Sequence, residues 1–149
     1  MNIEVPKGTT ILTSIHISGS SYADEIIIPD GIKEISSWLF WNHHWMKKLV
    51  LPKTLKKIGS FAFNRCTRLE EVILPEGLEE VEDNAFSECD NLKYVSIPST
   101  LKKFGSSAFY DCARLEEVVL TEGLEEVGDR AFSGCYNLKH VFLPSTLKK

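Results

Sequence analysis

Apolar residues along this chain come in short bursts rather than in one long helical stripe. In residues 69–91, LEEVILPEGLEEVEDNAFSECDN, they fall at Leu69, Val72, Leu74, Leu78, Val81, Ala85, Phe86 and Cys89. Residues 92–114, LKYVSIPSTLKKFGSSAFYDCAR, place apolar side chains at the same steps, from Leu92, Val95 and Ile97 to Ala108, Phe109 and Cys112. The triplet Val95-Ser96-Ile97 alternates inward and outward and is rich in β-branched residues, which predicts a short strand. Pro98 ends it, because proline has no N–H to give to a ladder. After a turn, Leu101 and Phe104 predict a second, shorter apolar contact. Ala108, Phe109 and Cys112 then fit one helical turn, too short for a full α-helix.

The same pattern recurs along the chain. Cys66, Cys89, Cys112 and Cys135 are each 23 residues apart, and so are Pro6, Pro29, Pro52, Pro75 and Pro98; Thr121 interrupts the proline series and Pro144 resumes it. Cutting at this period predicts one domain over residues 1–149. It holds a degenerate first copy (1–22), full copies at 23–45, 46–68, 69–91, 92–114 and 115–137, and a truncated copy at 138–149. Each copy is one coil of a solenoid, numbered coil 1 to coil 7. Stacking sets equivalent residues about 4.8 Å apart, the spacing of neighbouring strands. The buried columns are then Met46/Leu69/Leu92/Leu115/Leu138, Leu49/Val72/Val95/Val118/Val141, Leu51/Leu74/Ile97/Leu120/Leu143, Phe63/Phe86/Phe109/Phe132 and the four cysteines. No coil can bury its own apolar face, so stability comes from its neighbours.

Charge adds a longer period. Ahead of the first strands run Asp24-Glu25, Lys47-Lys48, Glu70-Glu71, Lys93-Tyr94, Glu116-Glu117 and Lys139-His140; at the second run Lys56-Lys57, Glu79-Glu80, Lys102-Lys103, Glu125-Glu126 and Lys148-Lys149. A perfect 23-residue repeat would set like charges opposite one another, which destabilises a sheet. Alternation every second coil turns each column into a ladder of opposite charges.

The pattern L-x-x-V-x-[LI]-P-x-x-L-x-x-[IVF]-x-x-x-A-F-x-x-C resembles the BspA-like leucine-rich repeat, also called the Treponema pallidum class. It covers residues 23–149, with 1–22 as a degenerate copy. The resemblance implies a curved right-handed leucine-rich-repeat solenoid, with parallel strands on the concave face, short second strands and helical or 3-10 turns. It also implies a bacterial cell-surface or secreted setting, adhesion or protein binding, and no catalytic residues. The N-terminus lacks the pattern of a secretory signal, which weakens the surface assignment. The truncated last copy fits either a fragment of a longer protein or self-association through an uncapped C-terminal coil.

Composition narrows the function further. A net charge of −4 with interspersed signs excludes a basic nucleic-acid groove. No apolar run approaches the ~20 residues that cross a bilayer. The cysteines are predicted to be reduced core residues, because stacked Cβ atoms sit farther apart than the ~3.8 Å a disulfide favours. No zinc-type Cys spacing, nucleophile elbow, phosphate loop or dinucleotide glycine pattern occurs. The expectation is a non-catalytic module with no cofactor and no metal.

Two surfaces remain as candidates. The outward column at the strand centre reads Glu4, Ile27, Val50, Ile73, Ser96, Val119 and Phe142, flanked by Tyr94 and His140. Its apolar members fit a protein- or peptide-binding stripe, and equally fit strand propensity alone. The second candidate lies in WLFWNHHW, residues 38–45, which holds all three tryptophans. Aligned on Pro29, Leu39-Phe40 takes the Ala-Phe slot and His43 the cysteine slot, partly buried; His44 faces out. Trp38 is predicted to stand outside and stack on Phe61. Trp41 belongs to an outer column with Asn64, Ser87, Tyr110 and Ser133, and Trp45 folds over the coil edge. The group of Trp38, Trp41 and Phe61 fits a cap over the degenerate first coil, a protein-binding patch, or a carbohydrate-stacking surface. A purely structural or assembly role for the whole module stays open beside these.

Overall fold

The computed structural model describes residues 1–148; Lys149 and the side chain of Phe142 lie outside the described set. The alternating triplets form the first strands: β2 (Glu25–Ile27), β4 (Lys48–Val50), β6 (Glu71–Ile73), β8 (Tyr94–Ser96), β10 (Glu117–Val119) and β12 (His140–Phe142). The apolar pairs form two-residue second strands: β1 (Ile11–Leu12), β3 (Glu34–Ile35), β5 (Lys57–Ile58), β7 (Glu80–Val81), β9 (Lys103–Phe104) and β11 (Glu126–Val127). Each set makes its own six-stranded sheet, with strands ordered along the stack, and every pairing is parallel. Partners differ by one repeat: Val72 faces Val95 and Ile58 faces Val81. The architecture is the repeat solenoid that the periodicity predicts. Residues 1–22 complete a coil of their own. Ile11 and Leu12 pair with Glu34 and Ile35, and Asn2 bridges to Ile27.

The core is a set of columns. Ile26, Val72, Val95 and Val118 are buried at the first strand, and Met46, Leu69, Leu92 and Leu115 at its approach. Phe40, Phe63, Phe86, Phe109 and Phe132 form a continuous ring stack with centroids 5.1–5.6 Å apart and planes within 7°. Six members of the expected columns are not fully buried: Leu51, Phe132, Cys135 and Leu138 are half-buried, and two are exposed. Val141 is exposed and Leu143 is 72 % exposed, both in the last described coil.

In coils 2 to 6 the third side is not a helix. Around Ala62-Phe63, the amides of Ala62, Asn64 and Cys66 close turns on the carbonyls three residues back. Those of Phe61, Phe63 and Arg65 instead reach the next coil at Asp83, Ala85 and Ser87. Amides that alternate between their own coil and the next cannot propagate a helix. They bring two residues per coil into the left-handed region: Trp38, Phe61, Asn84, Ser107 and Arg130 in one column, and Asn42, Arg65, Glu88 and Asp111 in the other, all with φ between 56° and 66°. The one 3-10 helix among the described residues is Ser14–His16, in the first coil.

A second device has a period of two coils. Thr54 Oγ1 accepts the Gly31 N–H at 3.0 Å and donates to the Ile32 carbonyl at 2.7 Å. Thr100 does the same to Gly77 and Leu78, and Thr146 to Gly123 and Leu124. The three glycines have φ of 99–106°, which a side chain would disfavour. No described helix is long and apolar enough to cross a membrane.

Candidate functional site

In each first strand the middle residue points into the core and its two neighbours point out. Two outward columns result: Glu25, Lys48, Glu71, Tyr94, Glu117 and His140 on one side, and Ile27, Val50, Ile73, Ser96 and Val119 on the other. Val50, Val119, Tyr94 and His140 are exposed, and Ile73 is 49 % exposed. Ile27 and Ser96 are half-buried, so the stripe is fullest from Val50 to Val119. Phe142, the last expected member, has its side chain outside the described residues.

The face is not uniform. β2 pairs with β4, and β6 with β8, through three residues each, whereas β4 and β6 share only Lys48 opposite Glu71. At the strand entry, the Glu70 N–H sits 3.5 Å from the Lys47 carbonyl, while the equivalent bonds Lys47 to Asp24 and Lys93 to Glu70 measure 2.7 and 2.8 Å. Leu51 is half-buried there, although Leu74, Ile97 and Leu120 in its column are buried. At this seam a groove of about 670 Å³ opens, lined by Lys48, Val50, Leu51, Glu71, Ile73, Lys93 and Tyr94 among others. Its middle is apolar and its walls carry both signs of charge. The sequence marks the seam only faintly: residues 46–52 keep an apolar side chain at every core position, with Met46 in place of leucine and Leu49 in place of valine or isoleucine.

The ladder register is as expected: Lys57 lies between Glu34 and Glu80, and Lys103 between Glu80 and Glu126. Close ion pairs are another matter. Among the described residues they are Lys57–Glu82 at 3.6 Å, Arg65–Glu88 at 3.0 Å and Lys148–Glu125 at 3.8 Å. Only the last is a ladder pair, and the groove's Lys48, Glu71 and Lys93 enter none.

The aromatic stretch lies on the turn side. Trp38 stacks on Phe61 with centroids 4.1 Å apart and planes 3° apart, and Trp41 meets Trp38 edge-on at 6.1 Å and 73°. Trp38 and Trp41 are exposed and Phe61 is half-buried. The column that holds Trp41 is not exposed throughout, contrary to what its sequence position predicts. Asn64 and Ser87 in it are buried, because the Asn64 amide donates to the Ser87 hydroxyl and carbonyl and needs no water. Trp45 lies under the Arg68 guanidinium, 4.7 Å from its ring centre, and beside Tyr22 at 6.0 Å.

His43 stands in the cysteine column, half-buried against Phe40, with Nε2 3.3 Å from the Ser20 hydroxyl. Burial holds its pKa below the usual imidazole value. His44 instead places Nδ1 3.3 Å from the Thr67 hydroxyl, so the adjacent imidazoles serve different partners. The four cysteines are free thiols. Each donates to the phenylalanine carbonyl 26 residues earlier, at 3.2–3.3 Å. Among the described residues no group of three or more His, Cys, Asp or Glu side chains is placed to hold a metal ion.

A family model described as the BspA type leucine rich repeat region matches the chain in six copies, over residues 1–112 and 43–149. Among solved structures, the chain is similar to the leucine rich repeat protein of T. pallidum, at 32% identity and a TM-score of 0.79 over 81% of this chain and 59% of that one. It is also similar to a leucine-rich repeat protein from Bacteroides ovatus, at 26% identity and 0.72, covering 98% of this chain and 46% of that one. A leucine-rich repeat protein from Eubacterium ventriosum matches at 27% identity and 0.73, over 79% of this chain and 32% of the other. The chain thus spans about half the length or less of these proteins, or somewhat more for that of T. pallidum. No curated protein matches it.

Proposed function

We propose that this chain, which belongs to the BspA-type leucine-rich repeat family, is a non-catalytic module that binds a protein or peptide through its first-strand face, centred on the groove between β4 and β6. Repeat modules of this kind commonly mediate protein interactions, and their extended faces suit that work. One observation carries the reading: the parallel ladder is interrupted at a single junction, and a groove with an apolar middle lies over it. An apolar side chain of a ligand seats between Val50 and Ile73, while Lys48, Glu71 and Lys93 pair with charges on either side of it. Buried apolar anchors ringed by polar contacts are where interfaces concentrate their energy. Adhesion at a bacterial cell surface is the setting that the family resemblance implies.

The test begins with a random peptide library selected on the immobilised protein. Selected peptides should carry an apolar residue beside charged ones. Ile73→Asp should weaken them by about 2 kcal/mol or more, the scale of an interface hot spot, and Trp41→Ala should leave them unchanged. Peptides that bind Ile73→Asp as well as the parent, but lose Trp41→Ala, would place the interface on the turn side and overturn the reading.

A further inference from the structure

We propose that the turn side of coils 1–3 carries a second, independent site, a corner between Trp38 and Trp41 that binds a neutral carbohydrate. The fold requires a left-handed residue at Trp38, Phe61, Asn84, Ser107 and Arg130. That conformation costs an ordinary L-residue roughly 1–2 kcal/mol, and asparagine is among the few residues that visit it routinely. Coils 4, 5 and 6 use the polar Asn84, Ser107 and Arg130, whereas coils 2 and 3 put two aromatic side chains there. Their mutual stacking returns only about 0.5–1.5 kcal/mol. Strained positions filled against local preference are a pointer to function.

The geometry leaves a surface open. Phe61 covers one face of Trp38, yet Trp38 is 52 % exposed, so its exposed area lies on the other face and the edges. Trp41, 45 % exposed, stands at 73° to it. Two indoles at a steep angle bound a corner into which one flat-sided, half-apolar ring can lean.

Charge then selects the ligand. Residues 35–46 contain no Asp, Glu, Lys or Arg, nor do residues 58–64 or 8–23. The equivalent turn of coil 4 holds Glu82, Asp83, Glu88 and Asp90. Arg65, the next residue along, is held by Glu88 at 3.0 Å. An acidic or basic ligand finds no counter-charge at this corner. Short hydroxyl and amide side chains flank the indoles in sequence, at Ser36, Ser37 and Asn42, and Ser60 precedes Phe61. A neutral sugar matches both features, with C–H faces for the indoles and hydroxyls for the short polar groups.

All three tryptophans lie at positions 38, 41 and 45, so intrinsic emission reports on this side of the molecule alone. The probes are neutral oligosaccharides of glucose, N-acetylglucosamine, mannose or galactose units, with heparin as an acidic control. At least one neutral series should give a saturable emission change, and heparin none. Trp41→Ala should weaken that binding at least tenfold, and Ile73→Asp should leave it intact, which keeps this site apart from the strand face. Trp38→Asn decides between binding and mere cover. Asparagine fits the backbone, as Asn84 shows, so this variant should keep the melting temperature while losing at least tenfold in affinity. No response to any neutral probe overturns the proposal. So does a response that survives Trp38→Asn, or a Trp38→Asn variant whose melting temperature collapses. Emission that depends on protein concentration without sugar, and loses that dependence in Trp41→Ala, would assign the corner to a second copy and also overturn it.

Discussion

At the scale of single residues, the cysteine column shows how one position does two jobs. Cys66, Cys89 and Cys112 fill a fully buried slot, and each thiol also donates to a phenylalanine carbonyl of the preceding coil. His43 fills the same slot with a larger ring and finds Ser20, the residue that holds this position in coil 1. The two chemistries set stability limits at opposite ends of the pH scale. Burial pushes the Cys66 thiol from 9.0 up to about 12. Between those values the unfolded chain has released the proton and the folded chain keeps it, so stability falls as pH rises through that window. Burial lowers the pKa of His43 from 6.5, so the unfolded chain takes up the proton first and stability falls as pH drops below 6.5. Urea midpoints measured across pH should decline on both sides of a plateau. Cys66→Ala should flatten the alkaline limb and His43→Cys the acidic one; limbs unchanged in these variants would assign the pH dependence to other groups.

At the scale of elements, alternation matters more than any one pair. Glu80 lies in register between Lys57 and Lys103, yet Lys57 leans to Glu82 at 3.6 Å rather than to its ladder partner. The ladder therefore acts less by close ion pairs, each worth about 0–1 kcal/mol when exposed, than by never setting like charges opposite one another. Replacing Glu79-Glu80 by two lysines would stack three lysine-bearing strands. The melting temperature should drop at low salt and recover most of the loss at high salt, because exposed charges are screened. Equal losses at both salt concentrations would trace the effect to packing instead. The threonine bolts follow the same two-coil rhythm, at Thr54, Thr100 and Thr146. Charge alternation was visible in the sequence because lysine and glutamate announce their sign. The bolts were hidden, since threonine and glycine in a turn carry no such mark.

At the scale of the whole molecule, repetition decides what could be read in advance. Strand positions, register, the phenylalanine stack and the placement of Trp38 on Phe61 all followed from a 23-residue spacing, because stacking repeats any local contact down the column. What escaped is what breaks or hides the rule: the seam between β4 and β6, the buried pair Asn64 and Ser87, and left-handed residues as unlike as Trp38, Arg65 and Glu88. The same one-dimensional logic governs stability, which in stacked repeats is a sum of coil and nearest-neighbour terms. Phe86 lies mid-stack, with Phe63 and Phe109 at 5.1 and 5.4 Å. Phe86→Ala should cost about 3–5 kcal/mol, and it should do so by weakening two adjacent junctions while leaving distant ones intact. Tryptophan emission follows coils 2 and 3 alone, whereas far-ultraviolet circular dichroism follows every coil. The two unfolding curves should coincide in the parent protein and separate in Phe86→Ala. Curves that still coincide there would mean that coupling along the stack reaches well past the nearest neighbour.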